Sequence, residues 1–233
     1  ENTKMHEYLN SGVRNVRRLD GNIGYFDFSG FMDSEMTAPV LGYAMNFLQN
    51  TGGLIIDLRA NFGGMPKTVP LLASYFLGPD SVHVDSIYWR KTNETQEYWT
   101  TTELEGAWYG TDRPVMILTS SETFSAAEAF SYAMKAFERA EIVGEATRGG
   151  AHPGGIQRVT DNFYMFVSHG RAINSITGEN WEGTGVTPNH PVVADEALVL
   201  AHKLILRAVI DQTDFILDKQ DREMHLQRLE ELE

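Results

Sequence analysis

The sequence predicts an α/β fold built around a partly parallel sheet. Short, wholly apolar runs (Leu54-Ile55-Ile56, Val115-Met116-Ile117-Leu118 and Ile142-Val143) have the length and lack of alternation of strands buried on both faces. Between them lie segments whose apolar residues recur every three and four positions, as helices packed over such a sheet require. At 233 residues and 42% hydrophobic content, the chain is long enough to bury roughly 72% of its extended surface in one core or in a core plus a small appendage.

Residues 1–20 read as helical and turn basic at Arg14, Arg17 and Arg18. The turn pair Asp20-Gly21 introduces a strand over Ile23 to Phe28. Asp33 or Ser34 caps a helix whose face is Ala38, Leu41, Met45 and Leu48, ended by Gly52-Gly53. After the strand Leu54–Ile56 comes a glycine-bearing loop, Asp57 to Gly64, and then an apolar helix, Val69 to Phe76. Val82 to Trp89 and Tyr98-Trp99 flank the polar turn Thr92-Asn93-Glu94-Thr95, which predicts a hairpin. The strand Val115–Leu118 leads into Thr119 to Ser125, a loop opening a helix with Ala129, Phe130, Ala133, Met134 and Phe137 on one stripe. Gly149 to Gly155 is a loop interrupted by Pro153. A second hairpin turns at Asp161-Asn162, with Phe163, Met165 and Val167 alternating. Asp195 caps a helix that turns Leu198, Ala201, Leu204, Ile205, Ala208 and Val209 inward. Phe215 to Glu233 reads as an acidic helix with Leu226, Leu229 and Leu232 in a stripe, packed on the core or a partner. The expected organisation is the end of a helical segment over 1–20, an α/β core over 21–194 and C-terminal helices over 195–233.

Composition removes several classes of function. With no Cys there is no disulfide scaffold, thiolate metal site, Cys nucleophile or redox dithiol. A net charge of −13 repels a phosphate backbone, so nucleic acid is not expected as a partner. No apolar run reaches the length of a membrane span. Glu1-Asn2-Thr3-Lys4 has neither the basic nor the apolar region of a signal peptide, so none is expected within these residues. The seven histidines show no ligand spacing, and a metal site is not expected.

Two strand-to-helix loops have the makings of chemistry. In Asp57-Leu58-Arg59-Ala60-Asn61-Phe62-Gly63-Gly64, adjacent glycines leave backbone N–H groups uncovered near a helix start, which suits an oxyanion. The same letters also describe a tight turn with Asp57 and Arg59 as structural partners. In Thr123-Phe124-Ser125-Ala126-Ala127-Glu128, Ser125 and Glu128 have the spacing of a capping box. That position equally suits a nucleophile at the positive end of a helix, with the Ala126 N–H aimed into the same space. Capping and attack compete for one hydroxyl.

Four ordered motifs resemble the peptidase core of the tail-specific (C-terminal processing) proteases. They are Asp57-x-Arg59-x-Asn61-x-Gly63-Gly64; Thr119-Ser120-x-x-Thr123-Phe124-Ser125-Ala126-Ala127-Glu128; Val143-Gly144-Glu145-x-Thr147; and Gly183-x-Gly185-Val186-x-Pro188. The resemblance runs from about Gly24 to about Val193 and is stronger to the branch of the tricorn protease core and the interphotoreceptor retinoid-binding protein modules. Gly149-Gly150-Ala151-His152-Pro153 and Leu71-Leu72-x-Ser74-Tyr75-Phe76 are similar to retinoid-binding-protein-like bacterial members.

The resemblance implies a ββα spiral core of crotonase/ClpP type with a C-terminal helical tail. It implies Ser125 as nucleophile, and the N–H of Ala126 with that of Gly63 or Gly64 as oxyanion hole. The Lys of a Ser–Lys dyad falls on Gly150, so that dyad is not expected, and the permanently protonated Arg148 is no substitute. The tricorn-like branch uses His with Glu instead. Its Glu matches Glu182; its His lies upstream of the core, which makes Glu1 an interior cut point or leaves the base missing. His152 is the in-chain His near the motifs, a candidate to orient substrate or to serve as a substitute base; the same letters also describe a loop His held by Pro153 and the glycines. Glu145 and Glu128 read as structural.

The leading expectation is a serine endopeptidase core acting on a peptide or protein without metal or organic cofactor, in a periplasmic or secreted setting implied by resemblance. The alternative is a noncatalytic module that binds an apolar ligand such as a retinoid or fatty acid. An acyl-CoA enzyme of crotonase type rests on fold analogy alone.

Overall fold

The structure, a computed structural model, describes residues 2–211 and 219–232. In chain order its elements are α1 (Asn2–Tyr8), β1 (Val13–Leu19), β2 (Ile23–Phe28), α2 (Ser34–Leu48), β3 (Gly53–Asp57), α3 (Thr68–Ala73), β4 (His83–Trp89), β5 (Glu94–Trp99) and β6 (Val115–Thr119). There follow α4 (Ala126–Ala136), β7 (Glu141–Gly144), β8 (Gly154–Arg158), β9 (Tyr164–Ser168), β10 (Gly170–Asn174), β11 (His190–Pro191), α5 (Ala197–Asp211) and α6 (Lys219–Leu232).

A six-stranded sheet of order β1-β2-β3-β6-β7-β11 forms the centre. Its strands from β2 to β11 are parallel, and β1 closes one edge antiparallel to β2. Every residue of β3 and β6 is buried, because helices cover both faces. Alternation sorts the side chains between two cores. Phe26, Phe28, Leu54, Ile56 and Ile117 face one layer with Leu41, Met45, Leu72 and Phe130 from α2, α3 and α4. Tyr25, Ile55, Met116 and Leu118 face the other with Ala201, Ile205 and Val209 of α5. The predicted α/β architecture with a partly parallel sheet is what the chain adopts.

Residues 1–20 depart from the helical expectation. Helix ends at Tyr8, and Asn10 and Ser11 take φ of 48° and 52° before Gly12 at 89°, a run that no continuing α-helix tolerates. Beyond it Val13–Leu19 pairs with β2. Arg14, Arg17 and Arg18 thus sit on an edge strand, where charge discourages pairing with another chain. Asp33 caps α2 as expected, accepting the N–H of Glu35 at 3.1 Å and of Met36 at 3.3 Å. Helix is present over 219–232 at the C-terminal end; residues 215–218 and 233 of the predicted acidic helix lie outside the described residues.

Two smaller sheets sit beside the centre. One has the order β10-β4-β5 and the other is the hairpin β8-β9. The hairpin turns at Asp161-Asn162 as predicted, and Ile156, Phe163, Tyr164, Met165 and Phe166 on it are all more than half exposed. The loops after the carboxyl ends of β3, β6 and β7 meet these smaller sheets, the place where open parallel sheets bind ligands.

Candidate active site

The loops after β3 and β6 are stitched together by backbone acceptors. Thr123 Oγ1 donates to Leu58 O at 2.9 Å, Ser120 Oγ to Arg59 O at 2.6 Å, and Phe124 N–H to Asn61 O at 3.0 Å. Asp57 and Arg59 are structural partners. Arg59 Nη2 lies 2.6 Å from Asp57 Oδ2, and the Tyr25 hydroxyl donates to the same oxygen at 2.7 Å. Burial works against the Asp57 charge, yet the hydrogen bonds from Arg59 and Tyr25 outweigh it and hold this carboxyl below the ordinary range.

This stitching brings Gly63 against Ser125. A methyl group on Gly63 would sit 2.7 Å from Ser125 Cβ and 2.8 Å from Ala126 N. The two glycines are not equivalent. Gly63 is buried, and its N–H donates to Asn61 Oδ1 at 2.8 Å, while Asn61 Nδ2 reaches Phe28 O at 2.7 Å. Gly64 is exposed and lines a cleft of about 770 Å³. Among the described residues neither the Gly64 N–H nor the Ala126 N–H has a protein acceptor.

Ser125 and Ala126 line the same cleft. Ser125 precedes the first turn of α4 with φ 55° and ψ −118°, a conformation that costs energy in a residue with a Cβ and that clusters at functional turns. Glu128, fully buried, supplies the carboxylate half of the predicted capping box by accepting the Ser125 N–H at 2.8 Å. Its two oxygens also accept from Thr147 Oγ1 at 2.6 Å, Gly149 N–H at 2.6 Å and Gly150 N–H at 2.9 Å. The capping-box spacing signalled the first of these bonds; nothing local signalled the other three.

His152 and Glu182 line the cleft as well. Glu182 Oε2 accepts the N–H of Ala151 at 2.7 Å and of His152 at 3.1 Å, and Oε1 lies 3.7 Å from His152 Nδ1. Ser125, Ala126, Gly64, His152 and Glu182 therefore share one cleft. Gly63 stands behind its wall.

At Gly150 there is no room for a side chain, since a Cβ would meet the Phe124 ring at 2.2 Å. Phe124 is held in turn by the Arg148 guanidinium, 5.2 Å from the ring centroid. One further acid went unread in the sequence: Asp85 of β4 lies in the cleft wall.

Comparison with known proteins gives this site a family. A model described as peptidase family S41 matches residues 22–192, nearly the span of the motif resemblance. A carboxyl-terminal-processing protease of Synechocystis sp. is 32% identical over 130 residues, 55% of this chain and 28% of that protein. The carboxy-terminal processing protease CtpA of Bacillus subtilis is 29% identical over 132 residues, 56% of this chain and 26% of that protein. The chain thus spans under a third of the length of these curated relatives. Among solved structures, an S41 protease of Bacteroides fragilis described as putative superposes with a TM-score of 0.68 at 19% identity, covering 95% of this chain and 58% of that one. A photosystem II D1 C-terminal processing protease gives 0.59 at 22% identity, covering 79% and 47%. These two likenesses are of fold. No described helix is long and apolar enough to cross a membrane.

Proposed function

The chain belongs to peptidase family S41, and from that premise we propose that it is the core of a serine endopeptidase acting through an acyl-enzyme on Ser125. The observation that carries this reading is the meeting of Ser125, two unengaged backbone N–H groups and a His–Glu pair in one cleft. A peptide carbonyl placed over Ser125 would direct its oxygen to the N–H groups of Ala126 and Gly64. Donors fixed where negative charge develops contribute about 3–4 kcal/mol each to such reactions.

In this reading His152 is the base. Glu182 faces Nδ1 and holds the backbone N–H groups of Ala151 and His152, which leaves Nε2 to take the Ser125 proton. The Oγ–carbon bond forms and the tetrahedral intermediate collapses, expelling the amine with the proton held by His152. Water then attacks the ester, again losing its proton to His152, and the acid departs as Ser125 recovers its hydrogen. The substrate is a peptide or protein segment laid in extended form against a strand edge of the cleft. A periplasmic or secreted setting is part of the same proposal, as is a core that takes in β1 and runs to residue 194, followed by the C-terminal helices α5 and α6.

A fluorophosphonate probe tests the reading directly. Covalent labelling of the wild type that disappears in Ser125→Ala supports it, and absence of labelling overturns it. The aromatic walls of the cleft, among them Trp89, Tyr98, Phe124 and Trp181, favour one other reading, a module that binds an apolar ligand. Saturable quenching of Trp fluorescence by retinol or a fatty acid, in a protein that resists the probe, would select it.

A further inference from the structure

One wall of the cleft is apolar except at a single residue. β4 lays alternate side chains on it, Asp85, Ile87 and Trp89, beside Tyr98 of β5 and Ala172 of β10. Asp85 is only 8% exposed. Its Oδ1 accepts the Ser86 N–H at 2.9 Å, and the Ile173 N–H also donates to the carboxylate. Both donors are neutral. Among the described residues no Lys, Arg or His pairs with this acid. The basic side chains lining the same cleft are occupied elsewhere: Arg148 lies over Phe124 and His152 faces Glu182.

A carboxylate removed from water without a counter-ion is costly to the fold. Burial lifts this one to about 7, so it ionises with difficulty until a cation arrives. An apolar residue of the same volume would suit these walls better if packing were the whole purpose. The surroundings also match the shape of one ligand class. Long basic side chains lay an aliphatic stem on apolar surface and present a charged head at its end, and Ile87, Trp89 and Tyr98 offer that surface next to Asp85.

Resting on the peptidase reading above, we propose that Asp85 determines specificity: the cleft selects a peptide whose lysine or arginine side chain ion-pairs with the Asp85 carboxylate. An acidic or uncharged side chain at that position forms no such ion pair.

The test uses N-acetylated fluorogenic peptides that differ only in Lys, Arg, norleucine or Glu at one position, with that position scanned along the peptide. Expected is a kcat/KM for Lys at least about tenfold above norleucine at one position, and a ratio close to one in Asp85→Asn. Equal rates for Lys and norleucine throughout the scan overturn the proposal without any variant being made. So does a Lys preference that Asp85→Asn leaves intact. If the wild type cleaves nothing, the peptidase reading fails by itself. Asp85 is then judged by calorimetry of the Lys and norleucine peptides on the wild type, where equal affinity, or no binding of either, overturns its role and tighter Lys binding that Asp85→Asn abolishes upholds it.

Discussion

Ser125 and Gly150 share one acceptor: Glu128 Oε2 takes the N–H of the first at 2.8 Å and of the second at 2.9 Å. The turn that carries Ser125 and the loop that carries His152 are thus held in register by one buried carboxylate, completed by Thr147 and Gly149 on the other oxygen. The proposed nucleophile and its proposed base are tied to one another through the backbone contacts of Glu128.

Replacing Glu128 by Ala leaves four donors without their acceptor in a buried place. Each orphaned group costs about 1–3 kcal/mol, so Glu128→Ala is expected to lose at least about 3 kcal/mol in urea denaturation, and fluorophosphonate labelling of Ser125 should fall with it. A loss below about 1 kcal/mol would show that water replaces the carboxylate at little cost.

His152→Ala is expected to lower peptide hydrolysis by about 10²–10⁴-fold with the fold retained, the range for loss of a general base. Glu182→Gln keeps an acceptor for the two backbone N–H groups but removes the charge facing Nδ1, and should cost less. Labelling rates unchanged in His152→Ala would place the base elsewhere.

The two glycines of the first loop separate in the same assay. Gly64 has φ +141°, and a Cβ there would lie 2.0 Å from Phe31 O. Gly64→Ala should therefore destabilise by more than about 1 kcal/mol and also displace a proposed oxyanion donor, lowering kcat rather than raising KM. The side chain of Asn61 bonds Gly63 and Phe28 but not Gly64, so Asn61→Ala should act on stability, through the Gly63 N–H and Phe28 O it leaves open.

Asp85 makes stability depend on pH in a direction opposite to that of most carboxylates. Burial raises it from 3.8 to about 7, so between about pH 4 and 7 the folded chain keeps a proton that the unfolded chain has released. Stability falls as pH rises through that window and stays low above it. Asp85→Asn removes the effect. Its melting temperature should match the wild type below pH 4 and exceed it at pH 8; a gap independent of pH would show that the carboxylate is already stabilised by its two N–H donors.

Much of this architecture can be read from composition and spacing. Leu54–Ile56 and Val115–Leu118 announce buried parallel strands because both of their faces are covered. β1 is different. Val13, Val16 and Leu19 are three apart, a spacing that fits a helix as well as a bulged strand, and pairing with β2 decides between them. Ser125, His152 and Glu182, which the motifs single out, line one cleft because their loops converge on it. They did not separate Gly63 from Gly64, two identical letters told apart by the reach of Asn61. Asp85 was illegible because Val84 and Ser86 share one face of the strand and Asp85 and Ile87 the other, so neither face reads as core, and only the packing of distant segments makes Asp85 part of a wall.

The β8-β9 hairpin pairs with no other strand among the described residues, yet Gly154, Phe166 and Ser168 from it form part of the cleft. An arm with so little buried apolar surface opens at a small fraction of the global unfolding free energy. Its amides should exchange with deuterium well before those of β3 and β6. Sequence drift along this arm is therefore nearly free of penalty to the main sheet, and reshaping of the cleft has its least constrained route here.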